Sequence, residues 1–143
     1  MLFTTVVLIL LGSFSVQANE SSKILVTKGH VRASIPGTTI SSAYMTLSNN
    51  SENKVTLLRV SSKISPRIEL HQHSMEDGMM RMRKLDEIGI DANSNVILQP
   101  HGLHLMIFDL NEVLLPDTFF DMTLHFSNGQ NITIQLPVHK LVM

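Results

Sequence analysis

The stretch Arg67 to Arg83, RIELHQHSMEDGMMRMR, decides how the chain folds. Arg67-Ile68-Glu69-Leu70-His71-Gln72-His73 and Met79-Met80-Arg81-Met82-Arg83 flank Met75-Glu76-Asp77-Gly78, the pattern of two strands joined by a tight turn. Side chains alternate faces along a strand, so His71 and His73 share one face and Met80 and Met82 share one face. A two-residue loop at Glu76-Asp77 sets His71 opposite Met82; a loop at Asp77-Gly78 shifts the pairing and still leaves His71, His73 and Met82 on a common face. A three-residue loop would send one set to the other side.

The same period continues on both sides of this hairpin. Short apolar or alternating runs cover Ile24 to Val26, Val31 to Ile35, Ser42 to Leu47, Val55 to Val60, Ile68 to His73, Met79 to Leu85, Asn95 to Leu98, Leu103 to Phe108, Phe120 to Phe126 and Asn131 to Val138. Turn formers such as Pro36-Gly37, Asn49-Asn50-Ser51, Asp91-Ala92-Asn93, Pro100-His101-Gly102 and Ser127-Asn128-Gly129 separate them. Strands at this spacing make an all-β domain, a Greek-key sandwich or barrel with antiparallel strands. Only Asn111 to Leu115 offers a helical turn.

Length and composition bound the rest. A chain of 143 residues fits one domain. With 11 Lys and Arg against 12 Asp and Glu, nothing pulls in nucleic acid. The lack of Cys excludes disulfide scaffolds, thiolate zinc sites, iron–sulfur clusters, thiol catalysis and blue-copper electron transfer. Residues Met1 to Val16 are uncharged and apolar, and Gln17-Ala18 precedes polar Asn19-Glu20. Residues 1–18 therefore read as a cleaved export signal, too short for a spanning helix, with a retained N-terminal anchor as the alternative, and residues 19–143 as the mature domain, periplasmic and without stable membrane insertion after cleavage. A closed sandwich of this size is expected to be a monomer. There is no Gly-x-Ser-x-Gly elbow and no carboxylate pair placed for acid–base work, so an enzyme is not expected.

The chemistry lies in sulfur and imidazole: nine Met and seven His. In Leu103-His104-Leu105-Met106-Ile107, His104 and Met106 point one way, at positions that are normally polar and outward, while Leu103, Leu105 and Ile107 point into the core. Together with His71 and Met82 they offer four neutral donors without thiolate or carboxylate, a set that suits Cu(I) better than Zn(II), Mg(II) or Ca(II). His30, His125 and His139 read as ordinary strand histidines, and Met45 and Met122 as core. His73 and His101 read as supporting residues, and Met75, Met79 and Met80 as an apolar rim or as exchange ligands.

The intervals make the pattern specific: His71, ten residues, Met82, twenty-one residues, His104, one residue, Met106. With Ser42-Ala43-Tyr44-Met45-Thr46-Leu47-Ser48-Asn49 and Gly102-Leu103-His104-Leu105-Met106 beside them, the chain resembles the periplasmic copper-chaperone family PCuAC from about Val31 to Val138. The resemblance implies a cupredoxin-like fold and a carrier that delivers Cu(I) to the binuclear copper centre of cytochrome c oxidase. Its partner would be the copper-accepting domain of oxidase subunit II, beside other periplasmic copper-transfer or thiol-disulfide proteins. Two positions depart from the family: His30 stands where an aromatic is usual, and His101 where a second Gly is common. Some relatives carry a His- and Met-rich tail for a second copper ion; this chain ends at His139-Lys140-Leu141-Val142-Met143, so no second site of that kind is expected. Rival readings are a copper buffer using the same residues, and a metal-free interaction module presenting the Met-rich hairpin.

Overall fold

The computed structural model describes residues 23–140, so the export signal read in residues 1–18 lies outside the described residues, as do the last three positions. Ten strands form: β1 (Ile24–Arg32), β2 (Ser41–Asn49), β3 (Val55–Ser61), β4 (Arg67–Glu76), β5 (Met79–Leu85), β6 (Ile88–Ile90), β7 (Ser94–Leu98), β8 (Leu103–Phe108), β9 (Phe119–Phe126) and β10 (Asn131–His139). Their order is β5-β4-β8-β7-β2-β1-β10-β9-β3-β6, with β2 also paired to β8. The array folds over at β1 and β10, so that β3 packs against β4 and β6 against β2 and β7 across a shared interior. The all-β sandwich expected from the sequence is thus the observed architecture.

Alternation fills that interior. Leu70 of β4, Leu105 and Ile107 of β8, Met45 and Leu47 of β2, Leu57 of β3 and Met122 and Leu124 of β9 are all buried. Each such side chain contributes about 1.5–3 kcal/mol when taken from water. Met45 and Met122 are core residues, as their runs predict.

Four local features depart from the sequence reading. The run 24–26 and the start of the run 31–35 belong to one strand, which ends at Arg32 and is interrupted by a β-bulge between Thr27 and His30. The bulge adds a residue and reverses the alternation, so Ile24 faces inward before it and Val31 after it. Lys28 has φ 54°, and a Cβ on Gly29 would meet Leu136 Cδ2 at 2.3 Å, so Gly29 is needed for close approach of β1 to the core. Strand β6 is too short to show a period. The sheet is not purely antiparallel, because Val31–Arg32 pairs in parallel with Val138–His139, and Leu98 with Leu103. Residues 111–115 form no helical turn.

Candidate metal centre

The β4–β5 hairpin resolves the open question of register. Glu76 pairs with Met79, leaving Asp77-Gly78 as the two-residue loop, with φ 52° and 74°. Two consecutive positive φ values are what a type I′ hairpin turn requires, and Asp-Gly is among the pairs that adopt it most easily. That preference was the signal capable of choosing between the two registers. In consequence Met82 lies directly opposite His73, and His71 opposite Lys84.

On its other side β4 pairs with β8, setting His71 opposite His104 and Glu69 opposite Met106. Alternation then collects Glu69, His71, His73, Met82, His104 and Met106 on one face, while Leu70, Leu105 and Ile107 face the core behind them. The same three strands therefore carry the hydrophobic interior on one side and His71, Met82, His104 and Met106 on the other.

That second face is not the open outer surface expected for His104 and Met106. His104 is 4% exposed and His71 8% exposed, because the segments containing Ala33, Ile35, Thr38 and Ile40 and the Pro100-His101 turn wall it in. The result is a cavity of about 260 Å³ whose lining includes His73, Met82, His101, His104, Met106, Ser42 and Tyr44. Three of the four sequence-selected residues, Met82, His104 and Met106, line it directly. His71 stands beside it, its ring centroid 5.8 Å from that of His104. His73 comes closer, at 4.9 Å from His104, and lines the cavity itself, so it is nearer the centre than a supporting role implies.

Hydrogen bonds select which ring nitrogen each histidine offers. His71 Nε2–H donates to Glu69 Oε2 at 2.7 Å, and its buried Nδ1 has no hydrogen-bond partner. His104 Nδ1–H donates to the Gly102 carbonyl at 3.0 Å, leaving Nε2 as the lone-pair nitrogen. The buried Nδ1 of His73 is likewise unpartnered. A buried nitrogen without a partner costs about 1–3 kcal/mol, so these imidazoles are held ready for an electron-pair acceptor. Glu69, overlooked in the sequence, is the residue that fixes His71. Its signal was an acid two positions before a histidine on the same strand face. Lys84 and Arg67 also approach the Glu69 carboxylate, at 3.7 and 3.5 Å. The bond from His71 is the main cause holding this carboxyl below its ordinary pKa, with the two cations acting in the same direction.

Burial also holds the His104 imidazole below its usual value of 6.5, with the Gly102 bond opposing and His73 and His71 adding to the lowering. His104 thus stays neutral, and able to donate a lone pair, at lower pH than a free imidazole. Among the described residues no group of three or more His, Asp or Glu is placed to hold a metal ion. The donors that this face does gather are imidazole and thioether, a set that suits a soft ion.

Of the remaining histidines, His101 lines the cavity and the other three do not. His125 is held by Ser61 and Asn131. His30 and His139 stack on each other with centroids 4.6 Å apart and line a neighbouring pocket together with His73 and His101. His101 sits at the corner of the turn closed by the Gly102 N–H donating to the Gln99 carbonyl at 3.1 Å, with φ 65°. A glycine there would be free of strain, which explains the physical preference behind the family's usual residue.

Comparison with known proteins agrees with the fold. The fold matches the copper-bound PCuAC domain from PmoF2 with a TM-score of 0.72 at 24% identity, covering 83% of this chain and 94% of that one. It matches the CuI-DR1885 solution structure from Deinococcus radiodurans with a TM-score of 0.71 at 24% identity, over 87% of this chain and 83% of the other. These likenesses establish the cupredoxin-like β fold. By sequence, the chain is 25% identical to "Putative lipoprotein Lxx21020" of Leifsonia xyli subsp. xyli over 94% of its length and 87% of the relative's. It is 29% identical to the uncharacterized protein RP573 of Rickettsia prowazekii over 68% of its length and 55% of the relative's. Residues 24–138, which span all ten strands but the last residue of β10, match the family described as "Putative lipoprotein LpqE-like"; the chain belongs to this LpqE-like family, the PCuAC family that its motif resembles.

Proposed function

We propose that this protein is a periplasmic copper chaperone that binds Cu(I) through His71, Met82, His104 and Met106 and delivers it to the binuclear copper centre of cytochrome c oxidase. The observation that carries the reading is the register of β5, β4 and β8, which gathers two imidazoles and two thioethers on one walled face. Copper in the structures of the PmoF2 domain and of DR1885 supports the choice of ion, and the lipoprotein name of the Leifsonia relative supports export.

The ligand chemistry suits carriage. Imidazole and thioether are neutral, so Cu(I) enters without displacing a proton from a thiol, and the occupied site carries one positive charge. A centre without thiolate binds less tightly than one with it, so a cysteine-bearing acceptor such as the copper domain of oxidase subunit II draws the ion downhill by softness matching. Donation from His71 to Glu69 and from His104 to Gly102 keeps both rings aimed at the ion while it is exchanged.

The test is direct. Purified protein exposed to Cu(I) should retain one equivalent against a chelator, and His104→Ala or Met106→Ala should lose it; full affinity in both variants would remove the site. Mixing the loaded protein with an apo copper domain should move the metal. A deletion strain with a normal oxidase and raised copper sensitivity would instead identify a buffer built on the same residues.

A further inference from the structure

The register that builds the centre extends it beyond the four ligands. One rung past the His73–Met82 pair, Met75 of β4 lies directly opposite Met80 of β5, and both share the face of His73 and Met82. Exposure climbs along this path: His104 is 4% exposed, Met82 49%, Met80 53% and Met75 66%. Among the described residues β5 is the outermost strand of the sheet, and both outer thioethers are exposed. Directly opposed side chains have Cβ atoms about 4.5–5.5 Å apart, within reach of one ion for two flexible methionines. Consecutive rungs on one face lie about 7 Å apart along the strand.

We infer that Met75 and Met80 form a second, outer station for Cu(I), through which the ion passes to and from the walled centre. This rests on the proposed copper function and adds its route. The metal stays Cu(I) throughout. Each move replaces one neutral donor by another: the ion gains a Met80 or Met75 sulfur as it leaves His104 and Met106, with Met82 and the unpartnered His73 Nδ1 as the shared donors between the stations. Neither proton nor electron is transferred. The gradient has a chemical sense, since donors change from a mixed imidazole and thioether set at the buried end to thioether alone at the tip, where a docked acceptor can reach.

The structure supplies its own control. Met79 is on the same strand and 60% exposed, but it pairs with Glu76 and points to the opposite face. In a titration of methyl-labelled methionine with Ag(I), a redox-inert stand-in, the first equivalent should move the Met82 and Met106 methyl resonances. Further Ag(I) should move those of Met75 and Met80, leaving Met79 still. Replacing both residues, Met75→Leu with Met80→Leu, keeps the apolar surface and removes only sulfur. Release of Cu(I) to bathocuproine disulfonate should then slow by about tenfold while equilibrium affinity stays within about twofold, because uptake and release share the route; Met79→Leu should change neither. Met75 and Met80 resonances that move no more than that of Met79, or an unchanged release rate, would overturn the outer station alone. Failure of Met82 and Met106 to respond to the first equivalent would overturn the copper centre itself.

Discussion

The two halves of the candidate centre are built on opposite physical terms. His104 and Met106 sit on β8, an interior strand paired to β4 and β2 and backed by the fully buried Leu105 and Ile107. Met82 sits on β5, which among the described residues pairs only with β4 and is exposed along nearly its whole length. The first half has its geometry imposed by the core. The second is held on one side and open to solvent, and the contrast sets an anchored half of the face against an exposed half.

The largest effect should come from undermining the anchored half. Leu105→Ala should cost about 2–5 kcal/mol in urea unfolding, because neighbours on both strands prevent collapse of the cavity. Met79→Ala on the hairpin should stay within about 0.5 kcal/mol of the parent; equal losses would erase the distinction between the halves.

Next comes ligation. His104→Ala should lower Cu(I) affinity by about 100-fold or more, exceeding the cost of losing a residue that only orients a ligand. Glu69→Gln removes the carboxylate that holds His71 and should cost about tenfold in competition with a chelator. An unchanged affinity there would mean that His73, not His71, supplies the nitrogen.

Acid should act on the folded apo protein in a set direction. Burial is the chief cause lowering both His104 and His30 below 6.5. The unfolded chain therefore takes up protons first, so the stability contributed by the neutral rings is complete above pH ~6.5 and is lost as pH falls through that value to the lower folded pKa values. Urea midpoints measured between pH 7.5 and 5.5 should fall; midpoints that rise on acidification would contradict it. The smallest effect belongs to the cavity wall: His101→Gly should raise stability by about 0.5–1 kcal/mol by relieving the positive φ, detected as a shift in thermal midpoint.

Much of this was legible from spacing. Strand alternation alone placed His71, His73 and Met82 together and set Leu105 and Ile107 inward, and those placements hold because a one-residue slip would bury charge and expose the core. The bulge at Lys28-Gly29 was not legible, since a reversal of alternation reads as two strands rather than one bent strand. Nor was the burial of His104. Its strand shows only that it faces away from Leu105, whereas the wall that encloses it comes from the distant segment around Ile35 and Ile40. Likewise, the placement of His73 rather than His71 opposite Met82 depends on which of two hairpin registers forms, and one turn settles that.

X-ray absorption at the copper edge of the Cu(I)-loaded protein tests the centre most directly. Two sulfur and two nitrogen neighbours are expected, from Met82, Met106, His71 and His104; a first shell of oxygen, or one without sulfur, would contradict a centre built from both halves.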